Sequence, residues 1–165
     1  MALQETLARV QRGPGEGRQV TLITDAVTIK ATTADTGGAY ALFEIETPPA
    51  GGRPPHIQHY DDETLFVLAG RYIVLVGEEQ VDLATGGYVF IPRGTVHGYV
   101  NPDSGPARML VLMTPGSIHE QFLDDVGDRA GRAPWEPDMA RLLAVAPKYG
   151  IEFLTPDSEP DSINR

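Results

Sequence analysis

Between Gln19 and Thr114 the chain is cut into short apolar segments, with Gly, Pro, Asp or Asn at most of the cuts. A turn signal about every 8 to 12 residues is the spacing of antiparallel strands in a sandwich or barrel. The segments read as strands are Val20–Thr24, Val27–Thr33, Tyr40–Thr47, Pro55–Tyr60, Thr64–Ala69, Tyr72–Val76, Gln80–Leu83, Tyr88–Ile91, His97–Val100 and Arg108–Thr114. None of the connections between them is long enough for a crossover helix, so a parallel α/β sheet is not expected.

The flanks follow another period. Leu3, Leu7 and Val10 fall on one helical face, and Gly13-Pro14-Gly15-Glu16-Gly17 stops that run, which predicts a short N-terminal helix over 3–11. After Pro115, Ser117-Ile118-His119-Glu120 has the pattern of a capping box, opening a helix docked by Phe122, Leu123 and Val126 and ended by Gly127. Trp135–Tyr149 is a second helical stretch, with Met139, Leu142, Leu143 and Ala146 on one side and Pro147 set to kink or shorten it. His119 reads as a surface residue just inside its helix, and Trp135 as a docking anchor. The last residues, 155–165, are polar and broken by proline and read as a disordered tail. The expected organisation is therefore one domain over 1–154, with a barrel at about 19–114 and a helical cap at 117–150.

Composition narrows the functional classes. Asp and Glu outnumber Lys and Arg by 23 to 13, a formal charge of −10 that repels phosphate backbones. No helix-turn-helix pattern is present either, so no nucleic-acid partner is expected. The chain has no cysteine, which removes thiolate ligands and thiolate nucleophiles and leaves any metal to nitrogen and oxygen donors. The longest apolar runs, Leu65–Ala69 and Met109–Met113, are far shorter than the about 20 residues of a membrane span. The N-terminus, Met-Ala-Leu-Gln-Glu, shows no basic and apolar leader, so a cytoplasmic location is expected.

Chemistry concentrates in two segments. The first is Gly51-Gly52-Arg53-Pro54-Pro55-His56-Ile57-Gln58-His59-Tyr60-Asp61-Asp62-Glu63, and the second sets Gly86, Pro92, Gly94, His97 and Asn101 at fixed intervals. Strand alternation sends His56 and Gln58 to one face and His59 to the other. Glu63 follows after a short connection, and His97 comes from a separate strand. Two histidines and a carboxylate converging on one side make a facial triad, which suits Fe(II) and leaves positions open for substrate or dioxygen. Mn, Co, Ni and Zn are accepted by the same donors. Gln58 leaves several arrangements open. Its amide oxygen can ligate, it can orient groups around the metal, the site can be metal-free, or a bulge can swing His59 inward. Tyr99 has the parity of His97 and is, with Leu65, a candidate for the substrate pocket, although a core aromatic is an equal reading.

Both segments resemble the paired motifs of the cupin superfamily, whose members are small jelly-roll barrels. The second motif matches at every position, whereas Gln58 stands where the family usually places a histidine. Pro54-Pro55-His56-Ile57-Gln58-His59, Asp62-Glu63-Thr64-Leu65-Phe66-Val67-Leu68-Ala69-Gly70 and the closing Tyr149-Gly150-Ile151-Glu152-Phe153-Leu154 are similar to single-domain bacterial cupins related to quercetin 2,3-dioxygenase. The resemblance implies an all-β double-stranded β-helix with a short N-terminal helix and two C-terminal helices. It implies one divalent transition metal held by His56, Gln58, Glu63 and His97. The implied activity is a dioxygenase that opens a flavonol-like or other enolic aromatic substrate, with Glu63 as the base. It also implies a homodimer. The alternatives are a non-redox isomerase or cyclase, or a non-catalytic small-molecule-binding barrel that has lost its metal through Gln58.

Overall fold

The computed structural model describes residues 7–128 and 138–154. Two antiparallel sheets face each other across one core. The six-stranded sheet runs in the order β1 (Arg18–Leu22), β2 (Asp25–Ala31), β3 (Ala41–Thr47), β10 (Ala107–Thr114), β5 (Asp62–Ala69), β8 (Tyr88–Ile91). The five-stranded sheet runs β11 (Ile151–Phe153), β4 (Gly52–Gln58), β9 (Val96–Val100), β6 (Arg71–Val76), β7 (Glu79–Ala84). From β3 onward, apart from the β6–β7 hairpin, consecutive strands alternate between the sheets in the pattern of a jelly roll, the barrel that the family resemblance implies.

Each predicted strand is present, because period-2 patterning fixes which face meets the core. In β10, Ala107, Met109, Val111 and Met113 are buried and interdigitate with Phe43 and Ile45 of β3 and with Leu65 and Val67 of β5. The eleventh strand, β11, is not among the predicted ones. Its three residues pair with His56, Ile57 and Gln58 of β4, and so brace the strand that carries the first motif.

The flanks depart from the sequence reading. Residues 7–12 form no helix, and Leu7 and Val10 are exposed; the rest of the predicted N-terminal helix lies outside the described residues. Two glycines and a proline follow at 13–15, and a run this short does not sustain a helix against them. The first C-terminal helix, α1 (Ser117–Val126), forms as expected, but Ser117 does not cap it. Its N-cap is Gly116 at φ 88°, where a Cβ would lie 2.7 Å from that of Ala41. The Asp61 carboxylate accepts the Gly116 N–H at 2.8 Å and the backbone N–H of His119 as well. Glu120 turns away to accept from the Thr33 N–H (2.6 Å) and Oγ1 (2.9 Å). The second helix, α2 (Met139–Val145), passes into a 3-10 turn over Ala146–Tyr149 where Pro147 removes a backbone donor. Trp135 and the tail 155–165 lie outside the described residues. Among those residues no helix is long and apolar enough to cross a membrane.

Candidate metal centre

The two motifs meet on the inner faces of opposite sheets. His56 and His97 are cross-strand partners in the β4–β9 pair, with ring centroids 4.2 Å apart. Glu63 enters from β5, between Ile91 of β8 and Met113 of β10. One ligand atom from each of His56, Glu63 and His97 lies within 4.8 Å of the others, and all three side chains are buried. The imidazoles are aimed by their own strands: Nδ1 of His56 bonds the Pro54 carbonyl and Nδ1 of His97 bonds the Thr95 carbonyl, each at 2.9 Å. A carbonyl only accepts, so both Nδ1 atoms carry the proton, and each Nε2 is the atom presented to the centre.

The charges follow from this geometry. Burial alone would raise the Glu63 carboxyl, but the charge of His97 and its 2.9 Å contact hold it down at about 2. Burial works to lower His97, and the Glu63 carboxylate outweighs it and raises the imidazole above its ordinary value. With Nδ1 donating to Thr95 and Nε2 to the carboxylate, His97 is an imidazolium in this arrangement. His56 is pushed down to about 3 by burial and by the neighbouring His97 charge, and stays neutral with an open lone pair on Nε2.

Gln58 is also buried, and its Nε2 donates to Glu63 Oε2 at 2.9 Å. An ionised carboxylate can only accept, so the amide must turn its nitrogen to Glu63. Gln58 thus steadies the carboxylate. His59 faces outward, half exposed, with Nε2 3.1 Å from Glu152 Oε2, which removes the inward-bulge reading for that residue.

A bulge does occur, but earlier in the chain, between Arg53 and His56. Arg53 pairs with Tyr99 and His56 with His97, so three steps on β4 match two on β9. Pro54 and Pro55 have no N–H to offer the ladder and occupy the extra space. Gly98 faces them, where a Cβ would lie 2.8 Å from the Arg53 carbonyl oxygen. The bulge puts Arg53 on the inner face with His56, although odd spacing in a regular strand would separate them. The Arg53 Nε donates to Asp25 Oδ2 at 2.8 Å. Asp25 also accepts from Tyr99 Oη (2.6 Å) and Thr47 Oγ1 (2.8 Å), and Tyr72 Oη donates to Thr47.

The residues matched to a family are 43–113, which fit the description Cupin domain. An uncharacterized protein of Streptomyces coelicolor is 30% identical over 98 residues, covering 53% of this chain and 90% of that protein. The chain belongs to the cupin superfamily. Quercetin 2,3-dioxygenase of Bacillus subtilis is 27% identical over 130 residues, 78% of this cupin but only 38% of that enzyme's length. Among solved structures, a predicted oxalate decarboxylase from Thermotoga maritima aligns with a TM-score of 0.58 at 13% identity, over 64% of this chain and 98% of its own, and speaks to the fold alone.

The cavity at the heart of this cupin is lined by Arg53, His56, Gln58, Glu63, Tyr99 and His119 above an apolar floor of Ile45, Val111 and Met113. It has room for about one water-sized body, about 10 Å³. Tyr99 lines it as the sequence suggests, but its hydroxyl is committed to Asp25. Leu65 is fully buried in the core and does not line the cavity. His119 is the clearest correction: it is buried, not on the surface. Asp61 anchors the helix start over the barrel, and the His119 ring packs between Phe43 and Phe122 with centroid distances of 5.4 and 6.0 Å. Sequence reasoning also passes over Arg53 and Asp25. The Pro-Pro pair after Arg53 is the one signal that strand parity would slip there.

Proposed function

We propose that this cupin is a metal-dependent oxidoreductase of the quercetin 2,3-dioxygenase kind, acting with dioxygen on an enolic substrate. The observation that carries it is the convergence of His56 Nε2, His97 Nε2 and the Glu63 carboxylate on one buried point. The donor set fits a divalent transition metal: two imidazoles with Nδ1 already tied back and one ionised carboxylate. The Bacillus relative supports the reaction class. When bound, the metal would acidify a substrate hydroxyl and leave positions open beside three protein ligands.

The protein side of the reaction is proton handling and exclusion of water. Glu63 is ionised at neutral pH and takes the hydroxyl proton, and Gln58 keeps the carboxylate facing inward. Because the Glu63 carboxyl sits so low, it is a competent base only toward a hydroxyl already made acidic. The cavity is too small for a flavonol as it stands, so such a substrate would have to displace α1, whose His119 forms one wall. A second reading, a non-redox isomerase or cyclase, is favoured by the commitment of the Gln58 amide to Glu63, since three protein ligands serve Lewis-acid chemistry equally well.

Oxygen uptake separates the two. Protein of measured metal content is given quercetin and smaller enols in an oxygen electrode, and uptake matching substrate loss is expected. Turnover without oxygen consumption would select the non-redox reading. A chain that takes up no metal when it is offered would overturn both and leave a binding barrel. We also propose a homodimer. Phe66, Tyr88 and Phe90 stand exposed on the outer face of the β5–β8 edge, and a second copy would cover them.

A further inference from the structure

Two buried polar atoms in this molecule have no partner among the described residues, Nη2 of Arg53 and Nδ1 of His119. Both side chains line the cavity that holds the candidate metal ligands. A buried guanidinium N–H left unmade is costly, and His119 Nδ1 donates beside it when that nitrogen carries the ring proton, so the two atoms on one small cavity mark the place of a missing acceptor. The rest of Arg53 is not free to turn away. Asp25 holds its Nε, and Asp25 is itself fixed by Thr47 and Tyr99.

We infer that Arg53 and His119 form a receptor for one anionic oxygen of the ligand, so that the substrate class is a small organic monoanion with a carboxylate-type oxygen beside the metal. The inference rests on the metal-centre reading above and adds the substrate's charge to it. Arg53 supplies the charge-assisted hydrogen bond from Nη2, and His119, kept neutral by the burial that pushes it down to about 4, adds a second N–H in its Nδ1-protonated tautomer. Asp25 is a positioning residue: it sets the direction of the guanidinium and does not touch the ligand. The present cavity takes the oxygen end, and the remainder of the ligand extends toward α1.

The test uses the full chain loaded with Mn(II), its metal content measured, and reads broadening of the methyl proton resonance of acetate against that of the neutral isostere acetamide. Wild type should hold acetate about tenfold or more tightly than acetamide. The double variant Asp25→Asn/Arg53→Met, which leaves no lone carboxylate behind, should keep its manganese and lose that preference. Should it fail to fold, His119→Phe preserves the ring contacts with Phe43 and Phe122 and should weaken acetate binding about fivefold with acetamide unchanged. Manganese bound with no preference for acetate in wild type, or the preference intact in the variants, overturns the receptor while leaving the metal centre standing. A chain that binds no manganese overturns both.

Discussion

Replacing Gln58 by leucine tests whether the residue supports Glu63 or ligates a metal. Gln58 is 4% exposed and donates to Glu63 Oε2 at 2.9 Å. A hydrogen bond to a charged acceptor contributes about 1.5–3 kcal/mol, and leucine returns little of it because it offers the carboxylate no donor. At about 2 kcal/mol, a chain of this length should lose about 4–8 °C in melting temperature without metal. Metal affinity should fall about 10- to 100-fold, the usual effect of removing a group that orients a ligand. Calorimetric melting of the metal-free variant, paired with a competition titration for metal, measures both. A supporting hydrogen bond shows in both assays. A melting temperature within about 1 °C of wild type together with a collapse in metal affinity would refute the reasoning and make Gln58 a direct ligand.

The titration behaviour and the packing of the centre give further expectations. Because His97 carries protons on both ring nitrogens, metal binding at a pH below its raised value should release about one proton, and affinity should fall as pH drops further; calorimetry in buffers of different ionisation enthalpy counts the proton. Glu63 (about 2), His56 (about 3) and His119 (about 4) all lie below their ordinary values of 4.5, 6.5 and 6.5, so the stability tied to them is present above those values. It is lost as pH falls, whereas the part tied to protonated His97 is lost as pH rises. The urea midpoint of metal-free protein should therefore decline between about pH 6.5 and pH 3. Gly98→Ala puts a Cβ 2.8 Å from the Arg53 carbonyl and should cost about 1–3 kcal/mol in urea unfolding, with weakened metal binding because the bulge aims both Arg53 and His56. Phe90→Lys should shift the species seen by light scattering from dimer to monomer with the melting of each subunit little changed.

Much of the site is legible in the sequence alone. The interval from His56 to Glu63 and the run from Gly86 to Asn101 point to three residues that do converge, since strand parity and turn placement are local properties. Asn101 shows why its motif position is occupied: its Nδ2 donates to the carbonyls of Thr47 and Gly105 and closes the loop after β9. The illegible residues are those whose environment is made by distant chain. No pattern around His119 announces that Asp61, far back in the sequence, will cap its helix and carry the ring onto the barrel. The Ser117–Glu120 pattern even points to a different cap, because it cannot foresee that Thr33 will claim Glu120.

By itself, then, the sequence determined the alternation that makes ten strands, the turns between them and the three donors facing one interior, because these depend on period and on glycine and proline stereochemistry. Tertiary structure alone decided the rest. It set the slip at Pro54-Pro55 that turns Arg53 inward, the pairing of β11 against the first motif and the partner of Gln58. It also left two buried nitrogens without an acceptor among the described residues. The physical reason is that strand period is written in neighbouring residues, whereas register, burial and hydrogen-bond satisfaction are settled only when segments from both sheets compete for the same space.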